Sequence, residues 1–140
     1  MFPIFKDTIP CLEKLCSEGF ILGILTRSIP EYTKQKLDYH NLNKYFGERI
    51  AITSVNAEGK GKDAINLIKK INPSFIDSVY FIGDRVEDVL VEKDVRKKYL
   101  LNTEGIWLNR EGKSTPEELK KYHQVNSLIE IPKIAGLDGK

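Results

Sequence analysis

Two aspartates follow an apolar run in the stretch VYFIGDRVEDV, where Asp84 comes directly after a glycine and Asp88 lies four positions later. Carboxylate oxygens at the end of a strand suit a hard cation such as Mg²⁺. Another apolar run, FILGIL, is followed by Thr26, whose hydroxyl and backbone N–H could hold a phosphate oxygen. These residue types indicate a site where a metal ion and a phosphoryl group meet.

Two lysines could provide the positive charge that such a site needs. Lys60 and Lys62 open the helical segment after the second strand, and either ammonium group could offset the crowded negative charge. The spacing does not choose between them. Taken singly, Thr26 could cap a helix, Asp88 could lie on the surface and either lysine could be solvated. Their order along the chain, each after an apolar strand or at a helix start, favours the site.

Strand and helix patterns alternate along the whole chain. Short apolar runs predict buried strands, in FILGILT, RIAITSV, SVYFIG and GIWLNR. Apolar residues at helical spacing predict helices, in TIPCLEKLCSEG, SIPEYTKQKLDYH, KGKDAINLIKKI, RVEDVLVEKDVRKKYL and TPEELKKYHQ, the last with Thr115 as N-cap. This alternation predicts an α/β fold, a Rossmann-like parallel sheet with helices on both faces. Ligands of such sheets bind beyond the carboxyl ends of the strands, where Thr26, Asp84 and Asp88 are expected.

The composition is that of an ordinary globular protein. Of 140 residues, 41% are hydrophobic and 30% charged, which argues against the disordered and fibrous classes. The net charge of +2 gives no reason to expect nucleic acid or a membrane as a partner. Neither a signal peptide nor an apolar run of about 20 residues is visible, which predicts a cytoplasmic protein. Cys11 and Cys16 stand beside leucines and are predicted to be buried, reduced core residues.

The chain resembles the haloacid dehalogenase (HAD) superfamily, whose members are mostly Mg²⁺-dependent phosphohydrolases. ILGILTRS is similar to the family's second motif, GKGKDAI occupies its third-motif lysine position, and YFIGDRVEDV is similar to its fourth motif. The resemblance implies a phosphatase-type hydrolase that uses Mg²⁺ and acts on a small phosphorylated metabolite. It assigns the transferring phosphoryl group to Thr26 with Lys60 or Lys62, and the metal ion to Asp84 and Asp88.

The first motif of the family, an Asp-x-Asp pair after a strand, is not found in these residues. Asp7 precedes a helix, Asp38 lies within one and Asp138 belongs to the tail. Because nucleophilic catalysis needs an attacking carboxylate beside the phosphorus, this chain is expected to be inactive alone. The alternative is a catalytically dead homologue that binds phosphate, a metal ion or a protein. A bacterial receiver domain is a third interpretation, but it expects an acidic pair and a lysine that are missing here.

The missing motif also implies a missing strand. By resemblance that strand lies between FILGIL and VYFIG, so its absence would leave two strand edges without a neighbour. We expect the edges to be covered by a second copy of the chain, by a second polypeptide, by a further segment or by direct pairing. The interval from Thr26 to Lys60 is too short for the family's cap domain. Residues 1–140 are therefore expected to form a single domain that is incomplete at its N-terminus.

Overall fold

The computed structural model describes residues 4–26, 30–47, 49–52, 59–72, 74 and 76–136. The strands are β1 (Ile24–Thr26), β2 (Ile50–Ile52), β3 (Ser78–Gly83), β4 (Asn102–Leu108) and β5 (His123–Val125). The helices are α1 (Thr8–Ser17), α2 (Pro30–Tyr39), α3 (Asn43–Phe46), α4 (Gly59–Ile71), α5 (Val86–Tyr99) and α6 (Ile131–Ile134). Among these residues, no helix combines the length and the apolar character needed to cross a bilayer.

The described strands form two parallel sheets. β1 pairs with β2 along the whole of Ile24–Thr26. The other sheet has the order β3–β4–β5, and its longest ladder joins Ser78–Gly83 to Asn102–Trp107. Parallel neighbours require a crossover connection, and α5 supplies the one between β3 and β4. The predicted parallel α/β architecture is confirmed.

Side chains of β4 alternate between two hydrophobic layers. Ile106 packs with Cys11 and Leu15 of α1, whereas the next residue, Trp107, packs with Val89 of α5. Successive residues of a strand point to opposite faces, so one strand contributes to both layers. This sheet is therefore covered by helices on both faces, as the sequence pattern predicts.

The β1–β2 sheet is joined to the other sheet through the layer of α4 and α5. Ala64 and Ile68 of α4 pack with Val91 and Val95 of α5, and Leu25 of β1 contacts the same cluster. The buried positions of α4 recur at helical spacing, which is why the segment KGKDAINLIKKI forms an amphipathic helix against the strands.

α4 and α5 run in the same direction. The carboxylate of Asp94 lies against Gly61 in the first turn of α4, and the Tyr99 hydroxyl donates a hydrogen bond to the carbonyl oxygen of Ile65 at 3.3 Å. Later residues of α5 thus meet later residues of α4. Because each helix packs back along the strands it follows, the carboxyl ends of β1 and β3 face the same side of the molecule.

One predicted helix is replaced by a turn and a strand. The segment TPEELKKYHQ contains only the short 3₁₀ turn Glu117–Leu119, and His123–Val125 forms β5. Thr115 is not the N-cap, because Pro116 occupies that position. Parallel pairing of β5 with Ile106–Leu108 of β4 outweighs the local helical preference.

The prediction for the cysteines is confirmed for one residue and wrong for the other. Cys11 is 4% exposed, and burial raises the pKa of its thiol to about 11, so it stays protonated. Cys16 is exposed. Cys11 and Leu15 form the buried stripe of α1, and the residue after Leu15 is turned about 100° away from that stripe.

β1 and β3 each keep one edge without a strand partner among the described residues. The two strands do not pair with each other there, so direct pairing is not how these edges are covered. They nevertheless border a common core, since Leu25 of β1 lies in the same hydrophobic cluster as Val79 and Phe81 of β3. Ile82 of β3 is 37% exposed, although strands of parallel sheets are usually buried on both faces.

Asp7 joins the N-terminal helix to the C-terminal part of the chain. Its carboxylate accepts two hydrogen bonds from Arg110 at 2.8 and 3.0 Å, one from the Ser127 hydroxyl at 2.7 Å and one from the Leu128 N–H at 2.8 Å. The side chains of Asp7 and Arg110 are only 12% and 22% exposed. The Arg110 hydrogen bonds, aided by Ser127 and Leu128, hold the pKa of Asp7 well below its usual range despite the opposing effect of burial.

Replacing Asp7 by Asn should lower the free energy of unfolding at neutral pH by about 2 to 3 kcal/mol, because Arg110 would stay largely buried without its charge partner. Folding lowers the pKa of Asp7, so its stabilisation is complete above the ordinary aspartate pKa of about 3.9 and is lost as the pH falls below that value. Urea unfolding of both chains between neutral pH and about pH 2 measures this loss.

The exposed pair of Lys113 and Glu111 provides the control for this measurement. Its charged atoms are 3.4 Å apart and both side chains are largely exposed, so Glu111→Gln should change stability by less than about 0.5 kcal/mol. A stability difference between the native chain and Asp7→Asn that stays constant as the pH falls would contradict the prediction.

Candidate functional site

The turn between β3 and α5 carries both predicted metal ligands. Asp84 directly follows β3 and is exposed, while Asp88 lies in the first turn of α5. The Asp88 carboxylate accepts a hydrogen bond from the N–H of Arg85 at 3.2 Å, and the Asp88 N–H donates to the Arg85 carbonyl oxygen at 3.1 Å. Asp88 therefore closes the turn, and its negative charge at the helix N-terminus is stabilised by the helix dipole.

Gly83 allows this carboxylate to approach the end of the sheet. A Cβ atom at position 83 would lie 2.5 Å from Oδ2 of Asp88, closer than non-bonded atoms can come. Because glycine has no side chain, a space remains above the end of β3, and the Asp88 carboxylate fills it. We call this space the Gly83 cradle. The glycine of the Gly-Asp pair is thus required by close packing, a role that the sequence pattern alone does not reveal.

Trp107 forms a hydrogen bond to the backbone of the turn. It lies opposite Gly83 in the β3–β4 ladder, and its indole N–H donates a hydrogen bond to the carbonyl oxygen of Asp84 at 3.1 Å. This carbonyl lies one residue beyond the last pair of the ladder, so β4 cannot satisfy it through its backbone. The strand GIWLNR is predicted from the sequence, but the register that brings its tryptophan to Asp84 is a tertiary property.

The turn contains three carboxylates, and the Glu87 carboxylate lies near a basic side chain. Glu87 forms an ion pair with Arg85, with 3.9 Å between their charged atoms. Within the described ranges, no three His, Cys, Asp or Glu side chains are grouped so that they could hold a metal ion. The pair of Asp84 and Asp88 still fits Mg²⁺, because it offers hard oxygen donors on one turn, one exposed and one in the Gly83 cradle. Mg²⁺ commonly keeps several water ligands and needs only one or two carboxylates from the protein.

The residues predicted to hold a phosphate lie at the end of β1 and the start of α4. Thr26 is the last residue of β1 and is half-buried. Lys62 is exposed, and the side chain of Lys60 lies outside the described part of the chain, although its backbone belongs to α4. Because β1 and β3 end on the same side, Thr26 shares that side with Asp84 and Asp88.

The position of α4 along β1 is set by Leu67. A Cβ atom on Gly23, just before β1, would lie 3.1 Å from Cδ2 of Leu67. Position 60 precedes Leu67 by about 10.5 Å along the helix axis. Thr26 lies about 10 Å further along the strand from Gly23. Since helix and strand run in opposite directions, position 60 is level with Thr26.

Helix periodicity separates the two lysine positions. Position 60 shares a face of α4 with Ala64 and Leu67, which are both buried. Position 62 shares a face with Asn66 and Lys69, which are both exposed. The face that lies over β1 therefore contains position 60 and not position 62.

Solved structures resemble this chain in fold, whereas the comparisons of sequence find no match. No protein-family model matches the chain, and no curated protein is significantly similar to it. A crystal structure of a HAD-superfamily hydrolase from Ehrlichia chaffeensis matches 94% of the chain with a TM-score of 0.64 and 17% identity. The putative HAD-hydrolase YfnB from Bacillus subtilis, solved bound to magnesium, matches 96% with a TM-score of 0.70 and 20% identity.

The chain has a HAD-like fold. This finding confirms the HAD-like fold and the Rossmann-like α/β class that the sequence predicts. The chain spans 58% of the length of the Ehrlichia chaffeensis structure and 56% of the YfnB structure. At 17% and 20% identity the likeness concerns the fold, and any activity has to be argued from the site itself.

Within this HAD-like core, three of the predicted site residues lie at or just beyond strand ends on one side of the molecule. Asp84 and Asp88 share one turn, and Thr26 ends a strand on the same side of the molecule. The individual roles of these residues remain predictions, as does the choice between the two lysines. Gly83 and Trp107 are the additions that only the three-dimensional structure supplies.

Proposed function

We propose that this chain is the core of a HAD-type, Mg²⁺-dependent phosphatase that acts on a small phosphorylated metabolite of the cytoplasm. The observation that carries the proposal is the β3–α5 turn, which contains both Asp84 and Asp88 and follows a strand end that faces the same way as Thr26. The magnesium bound to YfnB, a protein of the same fold, is in keeping with oxygen ligands of this kind.

The two aspartates have different parts in this proposal. Asp84 is exposed and offers its carboxylate oxygens to the ion directly. Asp88 already accepts the Arg85 N–H, so it supports the ion with its remaining lone pairs, either directly or through a water molecule. Bound Mg²⁺ would neutralise the charge on the phosphoryl oxygens.

Thr26 and Lys60 would bind the phosphoryl group itself. The hydroxyl of Thr26 can donate a hydrogen bond to a phosphoryl oxygen. Position 60 lies level with Thr26 on the face of α4 that covers β1. This placement supports Lys60 over Lys62 as the positively charged residue beside the phosphoryl group. Placement at the start of α4 adds the favourable field of a helix N-terminus.

A complete phosphatase also needs a nucleophile, and the Asp-x-Asp pair that supplies it in the family is not found in these residues, while two of the described aspartates outside the site are held by other groups. Asp7 is held by Arg110, Ser127 and Leu128, and Asp38 accepts a hydrogen bond from Asn43. We therefore expect these 140 residues to bind a phosphoryl group and Mg²⁺ without hydrolysing a substrate. The same observation favours the second candidate function, a catalytically dead HAD homologue that binds phosphate, a metal ion or a protein.

Millimolar Mg²⁺ should raise the melting temperature of the native chain by a few degrees. A cation that binds only the folded form stabilises it by mass action, and a weak two-carboxylate site corresponds to about 1 kcal/mol. Asp84→Asn should lose this shift because it removes the exposed ligand. Differential scanning calorimetry with and without Mg²⁺ measures both values.

Asp77→Asn is the matched control for the metal experiment. Asp77 is an exposed aspartate that directly precedes β3, so this variant removes the same charge at the opposite end of the strand. It should keep the full Mg²⁺ shift. Equal shifts in all three chains would point to general salt screening, and no shift in the native chain would remove the support for a metal site.

Inorganic phosphate added with Mg²⁺ should raise the melting temperature further. Lys60→Ala should abolish most of this additional shift, whereas Lys62→Ala, which removes the same charge from the outer face of α4, should keep it. The measurement is the same calorimetric scan at increasing phosphate concentration. Loss of the phosphate shift in Lys62→Ala alone would reverse the assignment of the two lysines.

The chain alone should show no turnover of an aryl phosphate above background, with or without Mg²⁺, because it lacks a positioned nucleophile. Release of the aryl alcohol, followed by absorbance, measures this. Mg²⁺-dependent hydrolysis that disappears in Asp84→Asn would show that another carboxylate acts as the nucleophile.

A second polypeptide that contributes an apolar strand is the partner that fits best the edges of β1 and β3 that have no strand neighbour among the described residues. Ile82 beside the β3 edge is partly exposed. Without that strand the chain should self-associate or unfold readily. Sedimentation velocity combined with urea unfolding tests this, and a stable monomer with an unfolding free energy above about 5 kcal/mol would contradict it.

A further inference from the structure

A single peptide unit links Trp107 to the Asp88 carboxylate. The carbonyl oxygen of Asp84 accepts the indole N–H of Trp107 at 3.1 Å, and the N–H of the same peptide unit, which belongs to Arg85, donates to Oδ2 of Asp88 at 3.2 Å. A peptide unit is planar, so its two polar ends cannot rotate separately. The indole, the peptide and the carboxylate therefore form one continuous chain of hydrogen bonds.

Packing alone does not account for the tryptophan at this position. Trp107 is 5% exposed and lies in a hydrophobic cluster with Val89 and Leu119, a position where phenylalanine would also bury an aromatic ring. The indole N–H adds the hydrogen bond to the Asp84 carbonyl, which lies one residue beyond the last pair of the described β3–β4 ladder. The polar part of this side chain is thus directed at the backbone that carries both candidate metal ligands.

We propose that Trp107 is a positioning residue for the Mg²⁺ site, acting through the Asp84–Arg85 peptide on the directions of the Asp84 and Asp88 carboxylates. This inference rests on the proposed function of the turn. Fixing the peptide plane fixes the angle at which the Asp84 side chain leaves the strand end. It also keeps the Arg85 N–H on Asp88, which holds that carboxylate in the Gly83 cradle.

The experiment compares Trp107→Phe with Tyr122→Phe. Each variant removes one hydrogen-bond donor from the same cluster and keeps an aromatic ring, but the Tyr122 hydroxyl donates to Glu92 at 2.7 Å and does not touch the turn. Mg²⁺ affinity, measured by calorimetric titration, should fall about tenfold in Trp107→Phe. It should stay within about twofold of the native value in Tyr122→Phe, since no ligand or ligand support is altered.

A readout without metal separates this inference from the proposed function. Hydrogen exchange of the Arg85 amide, measured relative to amides in the middle of β4, should be faster in Trp107→Phe and unchanged in Tyr122→Phe. If the native chain binds no Mg²⁺, the metal site fails, and the exchange result still decides whether Trp107 positions the turn. Equal exchange and equal Mg²⁺ affinity in both variants would show that Trp107 only packs, and would overturn the inference.

Discussion

The parallel ladder between β3 and β4 is the constraint on which the candidate site depends. A parallel pair requires a crossover, so α5 must begin directly after β3 and return to the start of β4. The register places Gly83 opposite Trp107, which sets both the room for Asp88 and the reach of the indole to Asp84. A slip of one residue would turn each side chain to the opposite face and would dismantle the turn.

The other half of the site depends on weaker constraints. Thr26 and position 60 belong to the β1–β2 sheet and α4, which meet the β3–β4–β5 sheet through side-chain packing in the described residues. The contacts of Gly61 with Asp94 and of Ile65 with Tyr99 align the two helices. In the described part of the chain, the two parts of the proposed site are therefore held together by side-chain packing around α4 and α5 rather than by backbone hydrogen bonds between the sheets.

The sequence predicts the features that local residue patterns determine. It does not predict the features that depend on contacts between residues far apart in the chain. The six residues of β3 and the aspartates after it are recognisable because an apolar run ends in Gly83 and Asp84. The segment TPEELKKYHQ has a good helix start, yet pairing with β4 converts its end into β5. Cys16 sits one residue beyond the buried stripe of α1, a distinction finer than spacing can show. The links from Trp107 to Asp84 and from Asp7 to Arg110 join residues far apart in the chain, so no local pattern contains them.

The contact of Asp7 with Ser127 spans a sequence separation of 120 residues, which has a kinetic consequence. Closing a loop of that length costs about 4 kcal/mol in chain entropy, and no nearby contact offsets this cost before the sheet has formed. Contacts of such high separation form after local helices and neighbouring strands. Interactions that form after the folding transition state act on the rate of unfolding, and we infer that the contacts of Asp7 with Arg110 and Ser127 slow unfolding rather than speed folding.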